Sequence, residues 1–184
     1  MKIFFDTEFT GLQKDTTLIS IGCIDENERT FYAELTDYDK KQVNDWIQEN
    51  VIDNLTLGKK PDIKIENDNY EIVGNKKAVA KALKEWLEEY DEVQLISDVC
   101  HYDMVLFIDL FGGAFDIPEN VNAACHDINQ DIAKHLGISE KEAFDYTRED
   151  LVDEEISGDK HNSLYDAKVI KSIYEKVIRN EWTL

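Results

Sequence analysis

The chain contains few cysteines, and no low-complexity stretch divides it. Its three cysteines (Cys23, Cys100 and Cys125) are odd in number and form no CxxC pair, so the sequence predicts a reduced protein without a structural zinc site. We find no internal repeat and no low-complexity linker, and 184 residues is an ordinary length for one domain. The sequence therefore predicts a single domain over residues 1–184.

Long hydrophobic runs are also missing. The most apolar helix-like stretch, residues 104–111, is interrupted by Asp109, and a membrane-spanning helix needs roughly 18 or more apolar residues. The first residues contain no basic segment followed by a long apolar one, as a signal peptide would. Together with the reduced cysteines, these absences predict a cytoplasmic protein with no membrane partner.

Basic residues are scarce. Twenty Lys and Arg stand against forty Asp and Glu, for a formal net charge of −20, which argues against nonspecific binding to duplex nucleic acid. The charge still permits a nucleic-acid enzyme whose contacts are few, local and assisted by metal cations. Acids concentrate in residues 145–155, where six acids accompany one arginine, and this pattern is typical of a solvated helix or loop.

The order of the predicted elements indicates a mixed sheet. Apolar side chains on both faces of residues 2–9 predict a central strand, and strands at 18–24 and 28–35 complete an antiparallel start. The rest predicts alternating helices and strands with one irregular segment: helix 37–53, irregular 54–74, a helix capped by Asn75, strand 92–97, helix 102–111, strand 121–125, helix 127–136 and a final helix of about 163–179. This order is typical of an α/β or α+β domain.

Asp6 and Glu8, in the opening stretch FFDTEFTGL, project from the same face of the first strand because residues i and i+2 share a face. An edge strand whose acids face water is one explanation. The neighbouring Phe4, Phe5 and Phe9 favour a central strand instead, in which two close carboxylates repel unless a cation lies between them. The pair therefore predicts a divalent metal, and oxygen ligands suit Mg²⁺ or Mn²⁺.

Two later acids lie on apolar helix faces. Asp103 shares a face with Leu106 and Leu110, although an acid in a first helical turn also favours the helix dipole. Asp166 heads the buried stripe of the last helix, although Ser163-x-x-Asp166 also fits a capping box. Each acid alone is compatible with a structural role, and their shared inward direction favours a carboxylate cluster.

His161 lies in a loop five residues before Asp166. A lone loop histidine is usually a surface residue. Beside a carboxylate cluster, an imidazole could instead accept a proton from an attacking water.

These residues resemble, in this order, the motifs of the DEDD 3′→5′ exonucleases. FFDTEFTGL is similar to the first motif (DxE, usually DTETTGL), HYD at 101–103 to the core of the second, and HNSLYDA to the third, HxAxxDA. A histidine five residues before the last Asp marks the DEDDh branch, within which the chain resembles compact RNase T-like exoribonucleases of bacteria and phages. It departs from the family at Val99, where Asn is usual, and at Ser163, where Ala is usual.

The resemblance implies an RNase H-like α/β fold with a five-stranded mixed sheet flanked by helices. It implies that Asp6, Glu8, Asp103 and Asp166 hold two divalent cations, Mg²⁺ or Mn²⁺, with His161 as general base. The implied reaction releases nucleoside 5′-monophosphates from the 3′ ends or 3′ overhangs of single-stranded RNA. Phe9 or Leu12 would contact the terminal base and Glu8 its 3′ hydroxyl, although Phe9 and Leu12 are equally compatible with a core position. A homodimer is also implied.

Two other functions remain compatible with the sequence. A proofreading-type 3′→5′ DNA exonuclease would share the chemistry, because the ribose contacts that select RNA cannot be located in the sequence. An acidic protein that mimics nucleic acid would explain the net charge of −20, but it would have no use for inward-facing acids and would not need magnesium.

Overall fold

The computed structural model describes residues 1–58, 60–152 and 155–178. These residues form one mixed sheet with helices on both faces. Its strands are β1 Lys2–Phe9, β2 Leu18–Asp25, β3 Thr30–Leu35, β4 Asp62–Glu66, β5 Asn69–Gly74, β6 Gln94–Ser97 and β7 His126–Asp127. The helices are α1 Asp45–Asn50, α2 Lys76–Leu87, α3 His101–Phe111, α4 Ile128–Leu136, α5 Glu140–Phe144 and α6 Ser163–Ile173.

The strands are ordered β4-β5-β3-β2-β1-β6-β7 across the sheet. β1, β2 and β3 pair antiparallel, as the sequence predicts. β6 then joins β1 in parallel, and β5 joins β3 in parallel. β1 therefore has a strand on each side and lies in the interior of the sheet.

β1 contributes to a hydrophobic core on each of its faces. Ile3 and Phe5 pack into the core formed with α2 and α3, while Phe4 packs into the core formed with α4 and α6. All three are at most 1% exposed, and burying each such side chain contributes about 2 kcal/mol. This two-sided burial, which the run of apolar residues predicts, excludes an edge strand for the acids that follow.

The prediction of an irregular segment at 54–74 is wrong. It contains the hairpin of β4 and β5, whose two turn residues, Asn67 and Asp68, both have positive φ, as a type I′ turn requires. β4 is exposed along its whole length, although Ile63 and Ile65 alternate with charged residues, as is typical of a strand. The hairpin adds two strands to the expected five, and β7 takes the place of the strand expected at 121–125, so the sheet has seven strands among the described residues.

Other boundaries also differ from the predictions. The helix expected at 37–53 is divided into a 3₁₀ turn at Lys40–Gln42, α1, and a 3₁₀ turn at Ile52–Asn54. The strand expected at 121–125 is reduced to a single bridge between Val93 and Val121, with β7 following it. The last helix continues beyond α6 as a π-helical turn, Tyr174–Ile178, and its predicted end at residue 179 lies outside the described residues.

The acidic segment 145–155 contains a 3₁₀ turn, Arg148–Leu151, and residues 153 and 154 lie outside the described part of the chain. All three cysteines are free thiols. In the described ranges, every helix is too short or too polar to cross a membrane.

Candidate active site

Asp6 and Glu8 lie at the end of β1, on the face that packs toward α6. Asp6 is paired with Gly22 of β2 and Glu8 with Ser20, and the register then shifts by one residue at Phe9, forming a β-bulge. A bulge bends its strand and redirects the side chains beside it. Here it ends the regular pairing just after the second carboxylate.

Gly22 allows the start of α6 to approach the sheet. A Cβ atom at this position would lie 2.3 Å from the backbone nitrogen of Leu164, so only glycine fits there. The hydroxyl groups of Ser20 and Ser163 are 2.9 Å apart across the same contact. A glycine inside an apolar strand is a known signal of close backbone approach. This contact places the first turn of α6, and with it Asp166, beside Asp6 and Glu8.

Asn162, and not Ser163, caps α6. Its side-chain oxygen accepts hydrogen bonds from the backbone nitrogens of Leu164 and Tyr165, so the capping-box explanation of Asp166 is wrong. The carboxylate of Asp166 instead accepts a hydrogen bond of 2.9 Å from the backbone nitrogen of His161. His161 has φ +64°, an uncommon conformation for a residue other than glycine, and the bond to Asp166 stabilises it.

Three of the four predicted carboxylates form a tight group. Asp6, Glu8 and Asp166 each offer an oxygen, and these oxygens lie within 4.8 Å of one another. The arrangement combines side chains from β1 and α6. Hard oxygen ligands at this spacing suit a divalent cation such as Mg²⁺ or Mn²⁺.

Asp103, the fourth predicted carboxylate, lies in the same cleft but outside that group of three. It is only 6% exposed, and its Oδ1 accepts hydrogen bonds from the backbone nitrogen of Thr7 (3.0 Å) and from the Thr7 hydroxyl (2.6 Å). The pairing of β1 with β6 extends only to Phe4, so Thr7 finds its acceptor on α3. Since Oδ1 is engaged, Oδ2 is the oxygen that Asp103 can present to a cation.

The electrostatics of the cleft disfavour four free carboxylates. Burial, followed by the charges of Asp103, Asp166 and Glu8, raises the pKa of Asp6 well above its usual range. Burial and the neighbouring acids raise the pKa of Glu8 to about 8, and burial is the main cause that raises the pKa of Asp166 to about 7 and that of Asp103 to about 6. A divalent cation would offset both the burial and the repulsion, so the residues present fit a metal site.

His161 lies at the edge of the carboxylate group. Its ring contacts the indole of Trp46 edge-to-face, with ring centroids 5.1 Å apart. Burial, and then the charge of Lys160, lowers the pKa of His161. The imidazole is therefore mostly neutral near pH 7 and can accept a proton.

One cleft of about 580 Å³ brings all seven predicted site residues together: Asp6, Glu8, Phe9, Leu12, Asp103, His161 and Asp166. Phe9 is partly buried and stacks on Tyr102, with ring centroids 5.3 Å apart. It therefore packs against the hydrophobic core and also lines the cleft. Leu12 is 78% exposed and is therefore not a core residue. Trp46, which is 54% exposed on α1, extends this apolar wall. Its place at the site was not predicted from the sequence.

Asp98 and Arg148 form a second charged feature of the cleft. The guanidinium of Arg148 contacts both carboxylate oxygens of Asp98, at 2.5 and 2.9 Å. Their side chains are 17% and 14% exposed. This pair connects the end of β6 to the acidic segment, and neither residue was predicted to lie at the site.

Comparison with known proteins agrees with this geometry. Residues 1–178 match the family described as the Rv2179c-like 3′-5′ exoribonuclease domain. The 3′-5′ exoribonuclease Rv2179c of Mycobacterium tuberculosis (strain ATCC 25618 / H37Rv) is 26% identical over 132 residues, which are 71% of this chain and 73% of that protein.

Solved structures of exonucleases share the fold. One is a 3′-exonuclease that recognises the 3′ end of a histone mRNA stem-loop, with a TM-score of 0.66 and 14% identity; the match covers 97% of this chain but only 63% of that one. Another is the nuclease domain of 3′hExo, a DEDDh family member, bound to rAMP, with a TM-score of 0.62, 13% identity and coverage of 97% and 92%. At these identities the likeness concerns the fold, and it confirms the predicted RNase H-like mixed α/β architecture.

The family resemblance read from the three motifs is thus confirmed, as is the prediction of an exonuclease. This conclusion rests on a family match over nearly the whole chain and on a curated relative with the named activity. The chain belongs to the Rv2179c-like 3′-5′ exoribonuclease family.

Proposed function

We propose that this protein is a metal-dependent exonuclease that shortens single-stranded RNA from its 3′ end and releases nucleoside 5′-monophosphates. The observation that carries the proposal is the group formed by Asp6, Glu8 and Asp166, whose oxygens lie within 4.8 Å of one another, with His161 lining the same cleft. RNA is proposed as the substrate because the matching family and the curated relative are both named exoribonucleases.

The four carboxylates, Asp103 included, would hold two divalent cations, Mg²⁺ or Mn²⁺. Bound there, such cations supply an activated nucleophile at neutral pH and charge stabilisation for the leaving oxygen. Raised pKa values make the group take up protons when metal is absent, and ionisation is needed for binding. Metal affinity should therefore increase with pH.

His161 would act as the general base toward the attacking water. Its lowered pKa keeps the imidazole able to accept a proton near pH 7. Two contacts fix its position: its backbone nitrogen donates to Asp166, and its ring packs against Trp46. A neutral base beside the carboxylates is suited to accept the proton of the water that attacks a phosphodiester.

The terminal nucleotide would lie against the apolar wall of Phe9, Leu12 and Trp46. Stacking on apolar and aromatic side chains tolerates any base, which suits an enzyme that trims 3′ ends without regard to sequence. Glu8, at the end of β1 beside this wall, would contact the terminal 3′ hydroxyl. We further propose that the chain acts as a single cytoplasmic domain over residues 1–184 and assembles as a homodimer.

The test uses RNA and DNA of one sequence, 5′-labelled, each single-stranded and as a duplex with a 3′ overhang. Product ladders are recorded with Mg²⁺, with Mn²⁺ and with chelator, for the wild type and for Asp166→Asn. The proposal expects RNA to shorten from its 3′ end with either metal, and no shortening with chelator or with the variant. Preferential shortening of DNA would replace RNA by DNA as the substrate, and the absence of metal-dependent shortening would reject the proposal and favour an acidic binding protein.

A further inference from the structure

The cleft has an unfavourable charge for a polyanionic substrate. Six of the described residues that line it are acids: Asp6, Glu8, Asp98, Asp103, Glu149 and Asp166. Only Arg148, Lys160 and His161 among the described lining residues can carry a positive charge. A strand with a phosphate at every nucleotide therefore depends on few cationic groups, in addition to any bound metal, to enter this cleft.

Arg148 is committed to the fold. A guanidinium has five N–H donors, and all five are used within the protein. Two donate to Asp98, one to the side chain of Asn129, and two to the backbone oxygens of Ala143 and Tyr146. A phosphate would have to displace one of these contacts, so Arg148 is not the cation that receives substrate.

Lys160 is differently placed. Its side chain is 57% exposed and contacts Glu149, itself 33% exposed, at 3.1 Å. An ion pair that exposed contributes little free energy, so exchanging Glu149 for a phosphate costs little. The ammonium group also has three donors and can bind a phosphate oxygen while it stays near Glu149.

The backbone of Lys160 is fixed at the site although its side chain is exposed. The side chain of Asn54 donates a hydrogen bond of 2.9 Å to the Lys160 carbonyl oxygen. The next residue, His161, is held by Asp166. Lys160 therefore extends from a hydrogen-bonded segment directly before His161, the proposed general base, and its side chain lines the cleft.

We propose that Lys160 binds a backbone phosphate of the single-stranded substrate, and that Glu149 holds its ammonium group in place when the cleft is empty. This inference rests on the proposed function and identifies the residue that brings a polyanion to an acidic site. Lys160 acts in binding and positioning, while bond cleavage depends on the carboxylates and His161.

The test compares steady-state kinetics of Lys160→Gln with those of the wild type on single-stranded RNA. We expect KM to rise about tenfold, as the loss of one charge-assisted contact predicts, with kcat changed less than about twofold because the lost contact is one of binding. The slope of log KM against log salt should decrease by about 0.7, which corresponds to one phosphate contact on a single strand. Lys160→Arg should retain most of the wild-type KM.

Lys81→Gln is the matched control, because Lys81 is also an exposed lysine paired with an acid, Glu85 at 3.6 Å on α2, away from the cleft. Glu149→Gln should lower KM, both by releasing Lys160 and by removing an acid from the cleft, and the gain should be smaller in the double variant with Lys160→Gln, where only the second cause remains. If the wild type shortens RNA but Lys160→Gln matches Lys81→Gln in KM and salt slope, the role of Lys160 is rejected and the proposed function is kept. If the wild type shortens no nucleic acid, the proposed function itself fails.

Discussion

The acids that line the cleft include two groups: Asp98, which is paired with a cation, and Asp6 and Glu8, which face other acids. Asp98 is neutralised by a bidentate contact with Arg148. Asp6 and Glu8 instead face further carboxylates, which raise their pKa values in addition to burial. A fold neutralises the acids that serve structure, because an unpaired buried charge is costly. Acids left to repel one another indicate a place where a ligand from solution binds, and we propose a divalent cation as that ligand.

Removing one acid from each group should separate activity from stability. Glu8→Gln should lower the exonuclease rate by on the order of 10³-fold, the upper end of what one lost electrostatic partner costs. Its metal-free stability should be unchanged or higher, because a repulsive charge is removed. The ladder assay and thermal unfolding in chelator measure the two effects.

Asp98→Asn should show the reverse pattern. It leaves the guanidinium of Arg148 buried beside a neutral amide, so the free energy of unfolding should fall by about 3 kcal/mol. Activity at a temperature well below the melting point should stay within about tenfold of the wild type. A larger loss of activity than in Glu8→Gln would contradict the distinction between the two groups.

His161→Gln tests the general base separately from the metal site. The rate should fall by roughly 10²-fold, which is within the range for general-base catalysis. Metal affinity should stay near the wild-type value, because the hydrogen bond that His161 gives to Asp166 comes from its backbone. Single-turnover rates and a Mn²⁺ titration distinguish this result from loss of the metal.

Gly22→Ala tests how the two parts of the carboxylate group are joined. The added methyl group would overlap the backbone of Leu164, so α6 must move away from β2. We expect a loss of about 2 kcal/mol of stability, with a fall in activity because Asp166 moves with the helix. Gly113→Ala is the control, since its new Cβ would lie 3.3 Å from a side-chain oxygen of Asp116, and chemical denaturation should show a smaller change.

The last prediction concerns the pH dependence of stability. In the metal-free protein the pKa of Glu8 is about 8 and that of Asp166 about 7, whereas unfolded carboxyl groups titrate near 4. Between these values the folded state binds more protons than the unfolded state, so its stability should fall as pH rises from about 4 to about 8. Unfolding curves in chelator should show this decline, and Glu8→Gln should reduce it. Stability that rises over this range, with no difference between the two proteins, would contradict the assigned shifts.

The sequence was sufficient for the parts of the fold and site that local patterns determine. The apolar residues around Asp6 and Glu8 identified a central strand with two acids on one face, and the spacing from His161 to Asp166 identified the third motif.

The remaining features depend on contacts between distant segments. Trp46 reaches His161 from a helix 115 residues earlier in the chain. Among the described strands, β4 is paired only with β5 and is exposed along its whole length, so it contributes nothing to the buried core. Two features left signals that could have been used: the Asn67–Asp68 pair is typical of a hairpin turn, and Gly22 inside LISIGCI is typical of close backbone approach. The structure also shows why Asp166 is not a capping residue, because Asn162 already fills that role.

A calorimetric titration of the metal-free protein with Mn²⁺ at pH 8 measures whether the acids that face one another bind a cation. We expect the wild type and Asp98→Asn to bind Mn²⁺ and Glu8→Gln to bind it far more weakly. Binding to the wild type should weaken at pH 6, because protons compete for the carboxylates. Equal binding by Glu8→Gln and the wild type, or no binding by the wild type, would contradict the proposed metal site.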